Sequence, residues 1–217
     1  MINIIPKSKW GKLRFSIIMG AFFVIITYFF IIPLYWYILY DPQDGDIIFQ
    51  SLPKNAVIIA IEGATNSPYS HCGVVVNRNG KWYVNEAIGP VKDTSLYRWI
   101  IRGRRRRFAV YRLKSDYRRY IPKFIEELNK YQGRPYDILY ELDDEYIYCS
   151  ELIYRAFRDS SNIELGKLVK LGDLDWELFR DIIEEIEGGE APLERLMITP
   201  RHLSEAKELR KIFSNGI

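Results

Sequence analysis

The chain has 217 residues, 48% hydrophobic and 27% charged, which is enough for one ordinary domain plus an appendage and excludes a disordered chain. The formal net charge of +3 is unevenly placed: every acidic residue lies after position 40, whereas Lys7, Lys9, Lys12 and Arg14 precede it. Taking those four from 31 basic residues leaves 27 against 28 acidic ones, a near-neutral balance that argues against a nucleic-acid-binding surface.

Between Phe15 and Tyr40 there is no charged residue, a run of 26. Roughly 20 apolar residues suffice to cross the hydrocarbon of a bilayer. The run ends in Tyr35, Trp36, Tyr37 and Tyr40, as expected where a helix meets headgroups. Pro33 predicts a kink or an early end to the regular helix. A cleaved signal peptide is the competing interpretation, but its apolar core is shorter and a small-residue cleavage site follows it. Bulky aromatics and Asp41-Pro42 stand here instead. The expectation is a tail over 1–14, one transmembrane anchor over 15–40 and a domain over 41–217. Basic residues before the helix and Asp41, Asp44 and Asp46 after it predict a cytoplasmic N-terminus, with the domain outside the cytoplasmic membrane.

Beyond the anchor, Ile47-Ile48-Phe49 predicts a short strand and Asn55 to Ala64 a short helix ending near Gly63. Ser67-Pro68-Tyr69-Ser70 breaks the chain before a strand at His71 to Val76; Asn79-Gly80 turns it into a returning strand, Lys81 to Ala87. A strand at Phe108 to Leu113 and an amphipathic helix at Tyr117 to Tyr131 follow, then a turn at Gly133 to Asp137. An acidic stretch, Glu141 to Glu145, precedes a helix opening near Cys149 with Leu152, Ile153, Ala156 and Phe157 on one face. Helices near Trp176 to Ile186 and after Thr199-Pro200 complete the chain. Strands first and helices after them predict an α+β domain.

Two cysteines and two histidines narrow the search for chemistry. Two cysteines are too few for a disulfide scaffold. Cys149, at a helix start, feels the partial positive charge of the helix N-terminus, which favours the thiolate; a buried structural cysteine is the competing interpretation. The acids from Glu141 to Glu145 would oppose the thiolate if close. His71 opens a strand after a loop, where an imidazole can face a groove. The hairpin brings Glu86 near His71, so its carboxylate can hold the outer ring nitrogen, with Asn85 as the substitute if the register slips by one. Strand alternation turns Cys72 to the face opposite His71, predicting that Cys72 lies away from Cys149 and that no bridge joins them. Tyr136 is a candidate oxyanion donor beside the Cys149 backbone N–H, or a tyrosine packing a turn. His202 reads as a helix-cap or surface residue. No His, Cys or acidic cluster has metal-ligand spacing and no phosphate-cradling glycine loop occurs, so no cofactor is expected. The block 98–107, RWIIRGRRRR, reads as a solvated basic loop, with contact to anionic headgroups or an acidic substrate as the sharper alternative.

GDIIFQ at 45–50, SPYSHCGVVV at 67–76, VNEAIGPV at 84–91, YQGRPYD at 131–137, YCSELIYRAF at 148–157 and TPRHL at 199–203 are specific in their order and spacing. From Gly45 to about Leu209 the sequence resembles the YiiX/YaeF-like permuted papain-like amidases, relatives of NlpC-type cell-wall peptidases and of lecithin retinol acyltransferase. The resemblance implies a circularly permuted papain-like (NlpC-type) domain, with antiparallel sheet and packed helices, in which the histidine and its polar partner precede the nucleophile. Those roles fall on His71, Glu86 and Cys149. The implied chemistry is amide or ester cleavage through an acyl-enzyme on Cys149. Three classes stay open: an amidase or peptidase on cell-wall peptides or N-acyl compounds, a lipid-directed acyltransferase or thioesterase, and a binding protein retaining the fold.

Overall fold

The computed structural model describes residues 8–143 and 145–217. It divides into two units, one up to Tyr40 and one from Asp41 to Ile217.

The first unit is helical. Helix α1 (Lys9–Ile26) starts at Ser8, whose side chain accepts the Gly11 N–H at 3.0 Å. It passes through a π-helical turn (Thr27–Ile31) into α2 (Ile32–Leu39). The early end expected at Pro33 does not occur: proline has no N–H for the carbonyl four residues back, and the helix continues past it through a π turn. Together Lys9–Leu39 is long and apolar enough to cross a membrane. Lys7 and the rest of the expected tail up to residue 7 lie outside the described residues.

The second unit is built on an antiparallel sheet of six strands: β1 (Ile47–Gln50), β2 (His71–Arg78), β3 (Lys81–Ala87), β4 (Val91–Ser95), β5 (Phe108–Leu113) and β8 (Leu209–Ser214), in the order β4-β3-β2-β1-β5-β8. A two-stranded sheet pairs β6 (Val169–Lys170) with β7 (Leu196–Met197). The Asn79-Gly80 hairpin forms as its sequence predicts, both residues at positive φ (54° and 79°), with Arg78 opposite Lys81. The central strands are apolar on both faces, as strands covered on both sides must be. Ile47, Phe49, Cys72, Val74 and Val76 share one cluster with helix residues Leu152, Ile153, Ala156 and Phe157, whereas their neighbours Ile48, Val75 and Val84 are equally buried outside it.

The helices of this unit are α3 (Ala56–Ala64), α4 (Leu96–Arg102), α5 (Ile121–Lys130), α6 (Cys149–Ser161), α7 (Arg180–Glu187) and α8 (Pro200–Ser204). Asn55 caps α3 by accepting the Ile58 N–H at 2.8 Å. The helix expected from Tyr117 begins as a 3-10 segment (Ser115–Tyr120) and becomes α-helical only at Ile121, next to Pro122, whose fixed φ suits a first turn. Likewise, Glu177–Phe179 is a 3-10 turn ahead of α7. The block at 98–107 is no simple loop. Trp99 and Ile100 are buried within α4, and only residues beyond Arg102 form a turn.

Candidate active site

Cys149 is the first residue of α6, behind Tyr148, which is extended and fully buried, its hydroxyl accepting the Ile198 N–H at 3.0 Å. That bond and the Ser150 hydroxyl donating to the Ile198 carbonyl at 2.7 Å anchor the start of α6 to the segment following β7. The sulfur therefore sits at a helix start, where the first-turn N–H groups carry a partial positive charge.

His71 opens β2 and is 2% exposed; its Nε2 lies 2.6 Å from Oε2 of the fully buried Glu86 on β3. Gly73 makes the meeting possible. A Cβ there would stand 2.4 Å from Val84 Cγ1 and 3.2 Å from Glu86 Cβ, in the space between the two side chains. Glu86 also receives two bonds from Arg102, the last residue of α4, one of them Nη1 to Oε1 at 2.9 Å. Asn85 turns instead to Asp93, Nδ2 to Oδ1 at 2.8 Å. The indole of Trp99 lies 6.4 Å from the imidazole, centre to centre.

Nε2 is committed to Glu86, and His71 also stands close enough to Cys149 for each to shift the other's pKa. Burial alone would lower the imidazole's affinity for a proton. The neighbouring Cys149 sulfur and the Glu86 carboxylate outweigh it and lift the His71 pKa to about 9. Burial would raise the Glu86 pKa, but His71 and Arg102 bring it down to about 2. The Cys149 pKa falls well below the ordinary thiol range, chiefly through a hydrogen bond from Cys72 and then through the charge of His71. These shifts favour a thiolate–imidazolium pair backed by a carboxylate and a guanidinium.

Of the sequence expectation for Cys72, the absence of a bridge to Cys149 holds, but its distance from Cys149 does not. Both cysteines are free thiols and buried, but Cys72 lies close enough to Cys149 to be the largest influence lowering its pKa. Alternation does hold along β2, with Cys72 joining Val74 and Val76 under α6. Its consequence fails because both His71 and Cys72 act on Cys149. Burial and the adjacent Cys149 push the Cys72 thiol well up, keeping it a donor.

Tyr136 pairs with Ile147 in a short bridge, and its hydroxyl donates to Tyr140 at 3.4 Å. Burial raises the pKa of this hydroxyl well above the usual phenol range, with contributions from Tyr140 and the nearby Cys149 charge. It therefore remains protonated, its proton given to Tyr140. His202 lies apart from this group: its Nδ1 is 2.7 Å from the hydroxyl of Thr199, the residue that caps α8. Of the acids before α6, Glu141 is taken up by Arg195 at 3.0 Å and Asp143 accepts the N–H groups of Glu145 and Tyr146; Asp144 lies outside the described residues. Arg102 and the contact of Cys72 with the sulfur escaped the sequence reading. The arginine stood in a run of basic residues with nothing to single it out, although its place 16 residues beyond Glu86 is the length of one strand and one helix.

An apolar cleft of about 100 Å³ opens beside Cys149. Ala60 and Ala64 of α3, Ile183 and Ile186 of α7, and Leu171 and Met197 form much of its wall. Among the described residues no group of three or more His, Cys, Asp or Glu stands together as metal ligands would.

Residues 41–213 match the family described as permuted papain-like amidase enzyme, YaeF/YiiX, C92 family. The chain is 33% identical over 176 residues to a protein of Escherichia coli (strain K12) described as uncharacterized protein YiiX, covering 80% of this chain and 87% of that one. A crystal structure of yiiX from Escherichia coli O157:H7, described as a metalloprotein, superimposes with a TM-score of 0.76 at 34% identity, over 81% of this chain and 99% of that one. The chain belongs to the permuted papain-like amidase family, and its mixed helical and antiparallel-sheet fold is that of the family.

Proposed function

We propose that this member of the permuted papain-like amidase family is a membrane-anchored thiol hydrolase that cleaves an amide or ester bond adjoining an apolar acyl group. The observation that carries this reading is the buried chain Cys149–His71–Glu86–Arg102, with the sulfur opening onto an apolar cleft. In the proposed reaction the Cys149 thiolate attacks the carbonyl carbon. The oxyanion is held by the Cys149 backbone N–H and by the Tyr136 hydroxyl, which turns its proton from Tyr140 to the oxyanion. His71 gives its proton to the departing amine or alkoxide, and the acyl group remains as a thioester on Cys149. His71, now neutral, takes a proton from water as it attacks the thioester; the acid leaves and the thiolate returns. Glu86 holds the tautomer throughout, and Arg102 keeps Glu86 ionised.

The cleft favours N-acyl compounds or lipid esters over bare cell-wall peptides, because its wall offers many methyl groups and few polar partners. That same feature supports a second reading, in which an amine or alcohol replaces water and the enzyme transfers the acyl group. The N-terminal helix Lys9–Leu39 would hold the domain beside such substrates. Placement of the domain outside the cytoplasm follows only from the basic residues before the helix and the acids after it.

The test is turnover of N-acyl amides of increasing chain length by the full chain in detergent micelles, with mass analysis of trapped protein. An acyl adduct on Cys149, absent in Cys149→Ala, is expected. An Ala64→Phe variant, narrowing the cleft, should lose long chains before short ones. Equal turnover by Cys149→Ala, or loss that ignores chain length, would sink the reading.

A further inference from the structure

A second cavity, of about 410 Å³, shares no wall residue with the cleft at Cys149. Four cations line it: Lys54 from the segment before α3, and Arg104, Arg105 and Arg107 from the turn after α4. No aspartate or glutamate side chain belongs to its wall. The one acid nearby, Glu62, is spoken for twice, by the Ser51 hydroxyl and by Arg104 Nη2 at 2.9 Å. The Ile217 carbonyl oxygen, also at the wall, is held by the Ser214 hydroxyl at 3.0 Å and by Lys211 Nζ at 3.4 Å. Among the described residues, no carboxylate pairs with Lys54, Arg105 or Arg107.

This concentration of charge is local, since the chain beyond residue 40 is balanced at 27 basic against 28 acidic residues. It is also held at a conformational cost. Arg105 and Arg106 both sit at φ 56°, the left-handed region that long side chains avoid, in a turn clamped by the Arg104 N–H to the Ser51 carbonyl at 2.7 Å and the Arg106 N–H to the Gly103 carbonyl at 2.9 Å. A glycine would relieve that strain, whereas an arginine keeps a guanidinium at the cavity. Two guanidiniums and an ammonium without a carboxylate partner around one concave space, beside the Glu62-paired Arg104, match an anion of more than one charge and several acceptor oxygens.

We propose that this cavity binds a phosphate group, carried by a glycerophospholipid headgroup or by a soluble phosphate monoester. It is separate from the hydrolytic site and does not depend on that site's chemistry. Full-length protein in a non-ionic detergent is titrated against inorganic phosphate, glycerol 1-phosphate and short-chain phosphatidic acid, with phosphatidylcholine as the zwitterionic control, and phosphorus NMR linewidths are read.

Saturable broadening is expected, weakened at least tenfold in Arg105→Gln/Arg107→Gln and retained in Lys123→Gln/Lys207→Gln, which removes as much charge elsewhere. Arg105→Gly guards against a folding artefact, because it relieves the backbone and still removes a ligand; it should stay folded and bind more weakly. Binding of the soluble monoesters assigns the site to a free phosphate, and binding of phosphatidic acid alone assigns it to a headgroup. Equal binding by both double variants, or no broadening with any probe, overturns the proposal.

Discussion

His71 and Glu86 meet at 2.6 Å, and the Glu86 carboxylate, shared between His71 and Arg102, is fully buried. One imidazole nitrogen is thereby fixed, and the other is left to Cys149. The arrangement has consequences for pH, for stability and for packing.

Alkylation of Cys149 by iodoacetamide should be fast well below the ordinary thiol pKa of roughly 8.5, because Cys72 and His71 hold the thiolate. Turnover should rise with pH as the lowered Cys149 pKa is passed. It should then fall as pH climbs through about 9, where His71 loses the proton it must donate. A single inflection at the ordinary thiol pKa in both profiles would rule out the ion pair.

Replacing Cys72 by alanine removes the largest contribution holding the Cys149 proton off, while the backbone N–H at position 72 stays. The alkylation midpoint of Cys149 should move up by roughly one pH unit, the scale of one hydrogen bond to a charged group. Cys72→Ser, which keeps an O–H donor, should move it less. Identical midpoints in the three proteins would leave Cys72 as packing alone.

Glu86 is ionised more easily in the folded protein than in the unfolded chain, its pKa falling from 4.5 to about 2. A depressed carboxylate stabilises the fold above its unfolded pKa and loses that contribution as pH falls through the folded one. Wild-type protein should therefore shed on the order of 3 kcal/mol between about pH 5 and pH 2. Glu86→Gln should show a shallower acid limb in denaturant unfolding. Parallel limbs would mean that Arg102 and His71 do not hold the carboxylate in this way.

Gly73→Ala should destabilise the domain by roughly 1–3 kcal/mol, the usual cost of overpacking a tight interior. The added methyl would lie 2.4 Å from Val84 Cγ1 and 2.9 Å from the Asn85 carbonyl oxygen, so something must shift. It should also slow turnover by displacing Glu86 from His71. Gly189→Ala, with open space around it, is the matched control; comparable unfolding midpoints for the two variants would count against a tight fit at Gly73.

The outcome at the N-terminus is a matter of mass and topology. Membrane fractions should contain the uncleaved chain, with a reporter fused after Ile217 responding as a protein outside the cytoplasm. Recovery of a shortened, soluble form would identify Lys9–Leu39 as a cleaved signal sequence.

Much of the scaffold was legible along the chain because it rests on local rules. Asn79-Gly80 requires positive φ at both positions and so marks a hairpin. The amphipathic run from Cys149 after the acidic stretch Glu141 to Glu145 marks a helix start, and the uncharged run from Phe15 to Tyr40 a long apolar helix. Resemblance added the order of histidine, acid and cysteine, which no periodicity carries. Strands β4 and β8 were not legible: VKDTS and LRKIFS are polar and charged, as strands at the two edges of a sheet can be, so their apolar signal is weak. What only the tertiary structure decided concerns which groups share a buried volume. Arg102 became the partner of Glu86 because α4 ends over β3, and Cys72 became the partner of Cys149 because α6 begins over the first residues of β2. Sequence spacing specifies the direction of a side chain along its own element. The charge or donor it meets depends on how two elements cross, and that is set by the packing of the whole core.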